Sequence, residues 1–334
     1  LIVATFVYTL ANAGCALAPD LLTLAAMRFI SGFGGSASMV IPRAVVRDLA
    51  DGHAAARLMS RLMLVMGAAP ILAPTLGGLI LTVGSWRTIF WITTVYGALC
   101  CLLVWVLLPD TLAAHNRAGL GLVGLLRRYG VVLRDRVFLT YALMGGFGMF
   151  GMFAYIGGSP PVLIEHLHFS PAEYGMLFGA SAAMFILASQ ISPRLLPRFG
   201  AGRILRVAAL TYLAAAIVLA SCAVLGVGGV FGIVPPIMVA MGCMGFVLPN
   251  AAVGALSRHA TQAGSASALM GTMQFGLAAL SGALVGVLAD GTARPMAFLM
   301  LAAALAVVAT DRIRGRLVPA GAKQKRELSS AGNN

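Results

Sequence analysis

The sequence predicts an all-α membrane protein, a helical bundle with about ten transmembrane helices. Three observations carry the prediction. Of its 334 residues 60% are hydrophobic and only 10% charged, whereas a water-soluble domain has roughly 25% charged residues. Uncharged stretches of the roughly 17–25 residues that a bilayer's hydrocarbon demands recur along almost the whole chain. The basic residues fall in alternate gaps between these stretches. Mean hydropathy is +0.94.

Reading uncharged runs against turn signals places the spans near 1–18, 21–42, 62–84, 88–108, 137–164, 174–193, 206–226, 230–256, 264–289 and 295–311. The uncharged stretch from Val207 to Ser257 is too long for one helix, and Gly226, Gly228 and Gly229 supply its break. One alternating set of connections, together with the C-terminal segment, carries twenty Lys and Arg residues; the other set carries only Arg87 and Arg294. The rule that basic loops stay inside therefore puts the first set, and both termini, in the cytoplasm. The expected location is the inner or plasma membrane.

The organisation follows from these spans: four in 1–108, a cytoplasmic connection over 109–136, six in 137–312 and a basic cytoplasmic tail over 313–334. From Leu120 to Arg136 leucines mix with arginines, as in an amphipathic helix lying on the inner membrane surface. A solvated linker is the other reading. Residues 320–334 read as disordered. Weak internal echoes link the halves: Ile41, Pro42 and Arg43 resemble Leu248, Pro249 and Asn250, and Met66-Gly67 resembles Met270-Gly271. They align spans two and three with eight and nine, so the first half is expected to lack two helices. The chain also opens inside an apolar run at Leu1 with no basic leader.

Several function classes are excluded. The net charge of +13 sits between apolar runs and in the tail, without a basic, aromatic-interleaved face for nucleic acid. The five cysteines lie inside apolar runs as small packing residues, and the five histidines lie in loops or at span ends without metal-ligand spacing. No hydrolase, metalloprotease or nucleotide-binding motif is present, so the chain reads as no enzyme and needs no cofactor or metal. Without a nucleotide-binding loop, an ion gradient is the remaining energy source.

Arg28 is the most informative residue. It stands seven positions into the second span, about 10 Å below the outer surface at about 1.5 Å per residue. A charge there costs at least ~2.5 kcal/mol and faces a cavity or a partner, or else snorkels to the surface. All ten carboxylates, from Asp20 to Glu327 and including Asp311, fall at span ends or in loops, so none is expected to pair with it inside a span. In the third span Gly67, Pro70, Pro74, Gly77 and Gly78 combine helix-bending prolines with small residues, a pattern fit for a hinge or seal. Candidate cavity groups are Tyr141, Phe150, Tyr155, Gln190, Asn250, Gln274 and Phe275; each serves equally as an interhelical hydrogen bond or packing contact. Seventeen methionines fit an adaptable apolar lining or simple filler.

These residues resemble the major facilitator superfamily, and within it the bicyclomycin and chloramphenicol (Bcr/CflA-type) drug:proton antiporters. The matching stretches are Arg28 with Gly32 and Gly34; Pro42, Arg43, Arg47 and Asp48; Gly67 through Gly78; Ser85, Trp86 and Arg87 with Phe90 and Trp91; Gln190; and Gly264 with Gln274, Phe275 and Gly276. The resemblance implies helices three to twelve of a twelve-helix fold, with the missing first helix supplying the embedded acid. It implies that Arg28 is the fourth-helix arginine associated with proton coupling. It makes Gly67–Gly78 the antiporter motif, departing from the pattern at Ala73, where glycine is usual. Arg198 to Arg203 looks like a degenerate gating loop. The implied activity is export of amphipathic drugs by proton antiport, with small-molecule drugs, protons and the bilayer as partners. An uptake carrier for a metabolite, or an inert fragment, are the alternatives.

Overall fold

The computed structural model describes residues 1–49, 58, 73, 76–108, 122–257, 259 and 262–317. Among the described residues regular structure is entirely helical. The chain forms two compact units, Leu1–Gly119 and Leu120–Asn334.

In the first unit α1 (Ile2–Leu17), α2 (Leu21–Leu49) and α3 (Trp86–Leu107) surround one seam, with residues 76–83 helical as well. Helix α1 packs on both α2 and α3. Glycine permits the closeness: a Cβ on Gly34 would lie 2.7 Å from the Tyr8 nitrogen and 2.8 Å from the Ala4 oxygen. Gly97 admits Thr9 in the same way, its would-be Cβ meeting the Thr9 hydroxyl at 2.6 Å. Helix α2 begins where the Asp20 carboxylate accepts from the Thr23 amide at 2.8 Å, satisfying a donor the first turn leaves free. That carboxyl is held below its ordinary range by the backbone and side-chain hydrogen bonds from Thr23.

The second unit contains α4 (Leu122–Arg134), α5 (Arg136–Pro160), a π-helical turn (Pro161–His166), α6 (Pro171–Leu225), α7 (Gly229–Leu256), α8 (Ala263–Leu288) and α9 (Arg294–Leu317). Helix α5 is the hub, packing on α7, α8 and α9. Its glycines open it to neighbours: Gly145 admits the Gln274 amide, and Gly151 lies under the Tyr212 hydroxyl, which donates to the Met300 carbonyl at 3.1 Å. Asp135 caps α5, accepting from the Val137 and Phe138 amides, and its other oxygen lies 3.1 Å from His259 Nε2. Ser170 and Glu173 close a reciprocal capping box on α6.

Helix α6 has 55 residues, which would extend about 80 Å if straight, against a hydrocarbon core of ~30 Å. It cannot be straight. Gly232 abuts Cys222, while Gly245 abuts Phe185 and Ala188. Those two glycines lie about 20 Å apart on α7, but Phe185 and Cys222 would be about 56 Å apart on a continuous rod. The chain reverses at Gly200, whose φ of 72° and ψ of 149° only glycine adopts without strain. Two arms result, 171–199 and 201–225, corresponding to the two expected spans. At the far end Gly226, Gly228 and Gly229 all have positive φ, and Gly226 caps the helix in the left-handed conformation.

Six helical segments of the described residues are long and apolar enough to cross a membrane: Trp86–Leu107, Arg136–His166, Pro171–Leu225, Gly229–Leu256, Gly264–Leu288 and Arg294–Leu317. Helix α1 is apolar but shorter. The protein is therefore a multi-pass membrane protein. Gly67, Pro70 and Pro74, most of the expected third span, the connection over 109–121 and residues 318–334 lie outside the described residues.

One expectation is corrected. Asp311 is not an end-of-span carboxylate in water, because α9 runs on to Leu317 and buries it with only 3% exposure. The helix continues because one of the arginines that follow the apolar run, Arg314, has a protein partner in Asp311. Arg314, counted with the tail, is 4% exposed inside the bundle.

Candidate functional site

Arg28 stands in the first unit on α2, with its guanidinium 5.7 Å from the centroid of the Phe90 ring on α3. Among the described residues it forms no ion pair. One turn away the three helices are knotted by Asn12, which is 1% exposed. Its amide donates to Ser31 Oγ on α2 at 3.1 Å and to the Tyr8 carbonyl at 2.8 Å, and its oxygen accepts from Thr93 Oγ1 on α3 at 3.3 Å. A buried amide with its donors and acceptor engaged across helices fixes their register. Arg28 thus projects from this frame with no carboxylate partner among the described residues. Arg87, by contrast, donates to the Ala18 carbonyl at 3.0 Å and lies over Trp86, closing the end of α1.

Gly77 and Gly78 lie in the helical residues 76–83, and a Cβ on either would meet no described atom within 4 Å. Both are half-buried.

The seven cavity candidates of the second unit do not gather in one place. Tyr141 and Tyr155 stand fourteen residues apart on α5, about 21 Å along the helix. Tyr155 is buried and stacks on Phe178 at 5.5 Å, beside the Ser159–Tyr174 hydroxyl pair at 3.1 Å. Phe150 is buried between them. Asn250 is buried with its amide committed to Ser192 Oγ and the Phe246 carbonyl, both at 2.7 Å, pinning α7 to the first arm of α6. Gln190 on that arm and Phe275 on α8 are exposed, and Gln274 is half-buried against Gly145. Four of the candidates are buried, and Gln190, Gln274 and Phe275 are exposed or half-buried.

Two polar clusters escape a reading by apolar runs. The first is Asn12 with Ser31 and Thr93, whose signal is a lone asparagine and two hydroxyl residues on three apolar helices. The second lies where α9 ends. There Asp311 Oδ1 accepts from Arg314 Nε at 3.1 Å and from Nη2, while Oδ2 lies 3.5 Å from Arg206 Nε. Arg314 also donates to the Gly202 carbonyl at 3.3 Å and lies 5.6 Å from the Tyr141 ring. Tyr141 is thus the aromatic wall of a charge cluster joining α5, α9 and the Gly200 reversal. The i, i+3 pair Asp311 and Arg314 was its sequence signal.

The model of the Major Facilitator Superfamily matches residues 1–283. The MFS-type transporter YdgK of Bacillus subtilis is 34% identical over 307 residues, covering 91% of this chain and 76% of that protein. The bicyclomycin resistance protein homolog of Haemophilus influenzae is 31% identical over 281 residues, covering 82% and 69%. The multidrug resistance protein MdtL of Shigella dysenteriae is 27% identical over 213 residues, covering 64% of this chain and 54% of that one. Among solved structures, the D-xylose–proton symporter superposes with a TM-score of 0.69 over 95% of this chain and 80% of its own, at 14% identity. A bacterial Spinster homolog gives 0.65, covering 94% of this chain and 81% of its own, at 15% identity. At such identities the two structures speak for the fold alone. By the family model and by its relatives, the chain belongs to the Major Facilitator Superfamily, a family of transporters rather than enzymes, beside members named for bicyclomycin and multidrug resistance.

Proposed function

We propose that the protein exports amphipathic small-molecule drugs across the inner membrane in exchange for protons, by alternating access. The observation that carries the reading is Arg28, a cation within an apolar helix that meets an aromatic face and no described carboxylate. A charge so placed has a free-energy reason to respond to a proton or substrate nearby, which a neutralised arginine lacks. The names of the bicyclomycin and multidrug resistance relatives support drugs as the substrate class.

In this scheme Gln190, Gln274 and Phe275 present polar and aromatic groups to the drug, while Tyr141, Phe150, Tyr155 and Asn250 hold the helices that shape its cavity. Gly67, Pro70, Pro74, Gly77 and Gly78 form the bend on which the gate turns, and Arg28 couples proton occupancy to it. Drug and proton each favour one conformation, so exchange follows from their competition. Both termini face the cytoplasm.

Everted membrane vesicles with an acidified lumen test this. Adding drug should release protons when the protein is present, and Arg28→Ala should abolish the release with protein level and thermal stability unchanged. A wild-type protein that releases no protons ends the antiport reading. Unchanged drug tolerance of expressing cells, across a panel of amphipathic compounds, would favour uptake of a metabolite instead.

A further inference from the structure

The end of α9 and the start of the second arm of α6 enclose a cleft of about 380 Å³. Its rim carries Arg206, Arg312 and Arg316, and its apolar wall includes Leu210 and Val308. Among the described residues that line it Asp311 is the one carboxylate, and Arg314, through two hydrogen bonds, and Arg206 already engage it. The cleft is therefore strongly positive on one side and greasy on the other. Gly315 in its lining keeps the approach open between the arginines. Beyond the wall the exposed surface stays apolar along both helices, through Ile217 on α6 and Leu305 on α9.

A soluble anion would use the arginines and leave the apolar wall wet. A neutral lipid would use the wall and leave Arg312 and Arg316 uncompensated, with Arg206 only sharing Asp311. From this pairing we infer that the cleft binds an anionic phospholipid, its phosphate among Arg206, Arg312 and Arg316 and the start of an acyl chain along Leu210 and Val308. The volume suits a phosphate headgroup with its glycerol, and basic pockets between spanning helices at a membrane surface recognise such headgroups. The bound lipid would clip the second arm of α6 to α9, next to the cluster that holds the Gly200 reversal. The inference depends on these helices crossing a bilayer and not on what is transported, so lipid retention and drug flux fail separately.

The test is native mass spectrometry of the whole protein released from nanodiscs holding equal phosphatidylglycerol and phosphatidylcholine. Wild type should retain phosphatidylglycerol preferentially. The Arg312→Gln/Arg316→Gln double variant leaves the Asp311–Arg314 pair intact and should lower retention by about thirty-fold, the factor expected for two surface arginines. Leu210→Trp fills the cleft with every arginine in place and should lower it too. Circular dichroism and the thermal midpoint should match wild type in both, and a variant that fails them is replaced by Arg312→Gln or Leu210→Phe. Equal retention of the two lipids by wild type, or retention unchanged in both variants, overturns the proposal. Displacement of phosphatidylglycerol by excess inorganic phosphate overturns the lipid and assigns the cleft to a free anion.

Discussion

Two arginines in this molecule sit in apolar helices under opposite conditions. Arg314 in the second unit is 4% exposed and bound to Asp311, to the Gly202 carbonyl and over the Tyr141 ring. Arg28 in the first unit meets the face of Phe90 and forms no ion pair among the described residues. The first charge is spent on holding three elements together. The second is held in position by a neutral frame around Asn12 and remains available. Charge inside a membrane protein is thus a fastening where a carboxylate is supplied, and where none is supplied it is free for the coupling role proposed above.

This contrast can be challenged by substitution. Asp311→Ala strands a buried guanidinium and should destabilise the protein by about 3–5 kcal/mol, read as a lowered thermal midpoint in detergent. Asp311→Ala/Arg314→Met should regain most of that loss, since an apolar pair of similar volume replaces the ion pair. Asn12→Ala leaves Ser31 and Thr93 without their shared partner and should cost about 1–3 kcal/mol, with drug flux lowered because Arg28 loses its frame. Arg28→Ala should change stability by no more than about 0.5 kcal/mol, as surface-like substitutions do. A cost comparable to that of Asp311→Ala would make Arg28 a fastening too and dissolve the comparison.

The smallest effect concerns pH. The Asp20 carboxyl lies below its ordinary value because Thr23 donates to it from backbone and side chain. A depressed carboxyl contributes stability that is present above its unfolded value and lost as pH falls through its folded one. Thr23→Val removes the hydroxyl contribution, so the Asp20 carbon resonance should titrate at higher pH than in wild type. An unmoved titration would assign the shift to the backbone amide alone.

Much of the helical layout was legible because a bilayer imposes length and exclusion of charge together. Gly226, Gly228 and Gly229 marked a turn that all three occupy with positive φ. Asp311 misled the reading for a physical reason: ending a span at its first charge assumes water as the partner, and here the partner was Arg314. Asn12 stayed hidden because one amide in an apolar run looks the same whether its neighbours answer it or not. Among the cavity candidates the residue types were no guide to exposure. Asn250 and Gln274 differ by one methylene, yet Ser192 and Phe246 consume the first while the second stays half-open on α8. Only the packing of α7 against α6 separates them.

The reversal at Gly200 leaves no slack between the two arms of α6. A connector one residue long confines the relative motion of the arms to the φ and ψ of a single glycine. Arg314 braces that pivot through the Gly202 carbonyl, so the contact that ties α9 to α6 also restrains the angle between the arms.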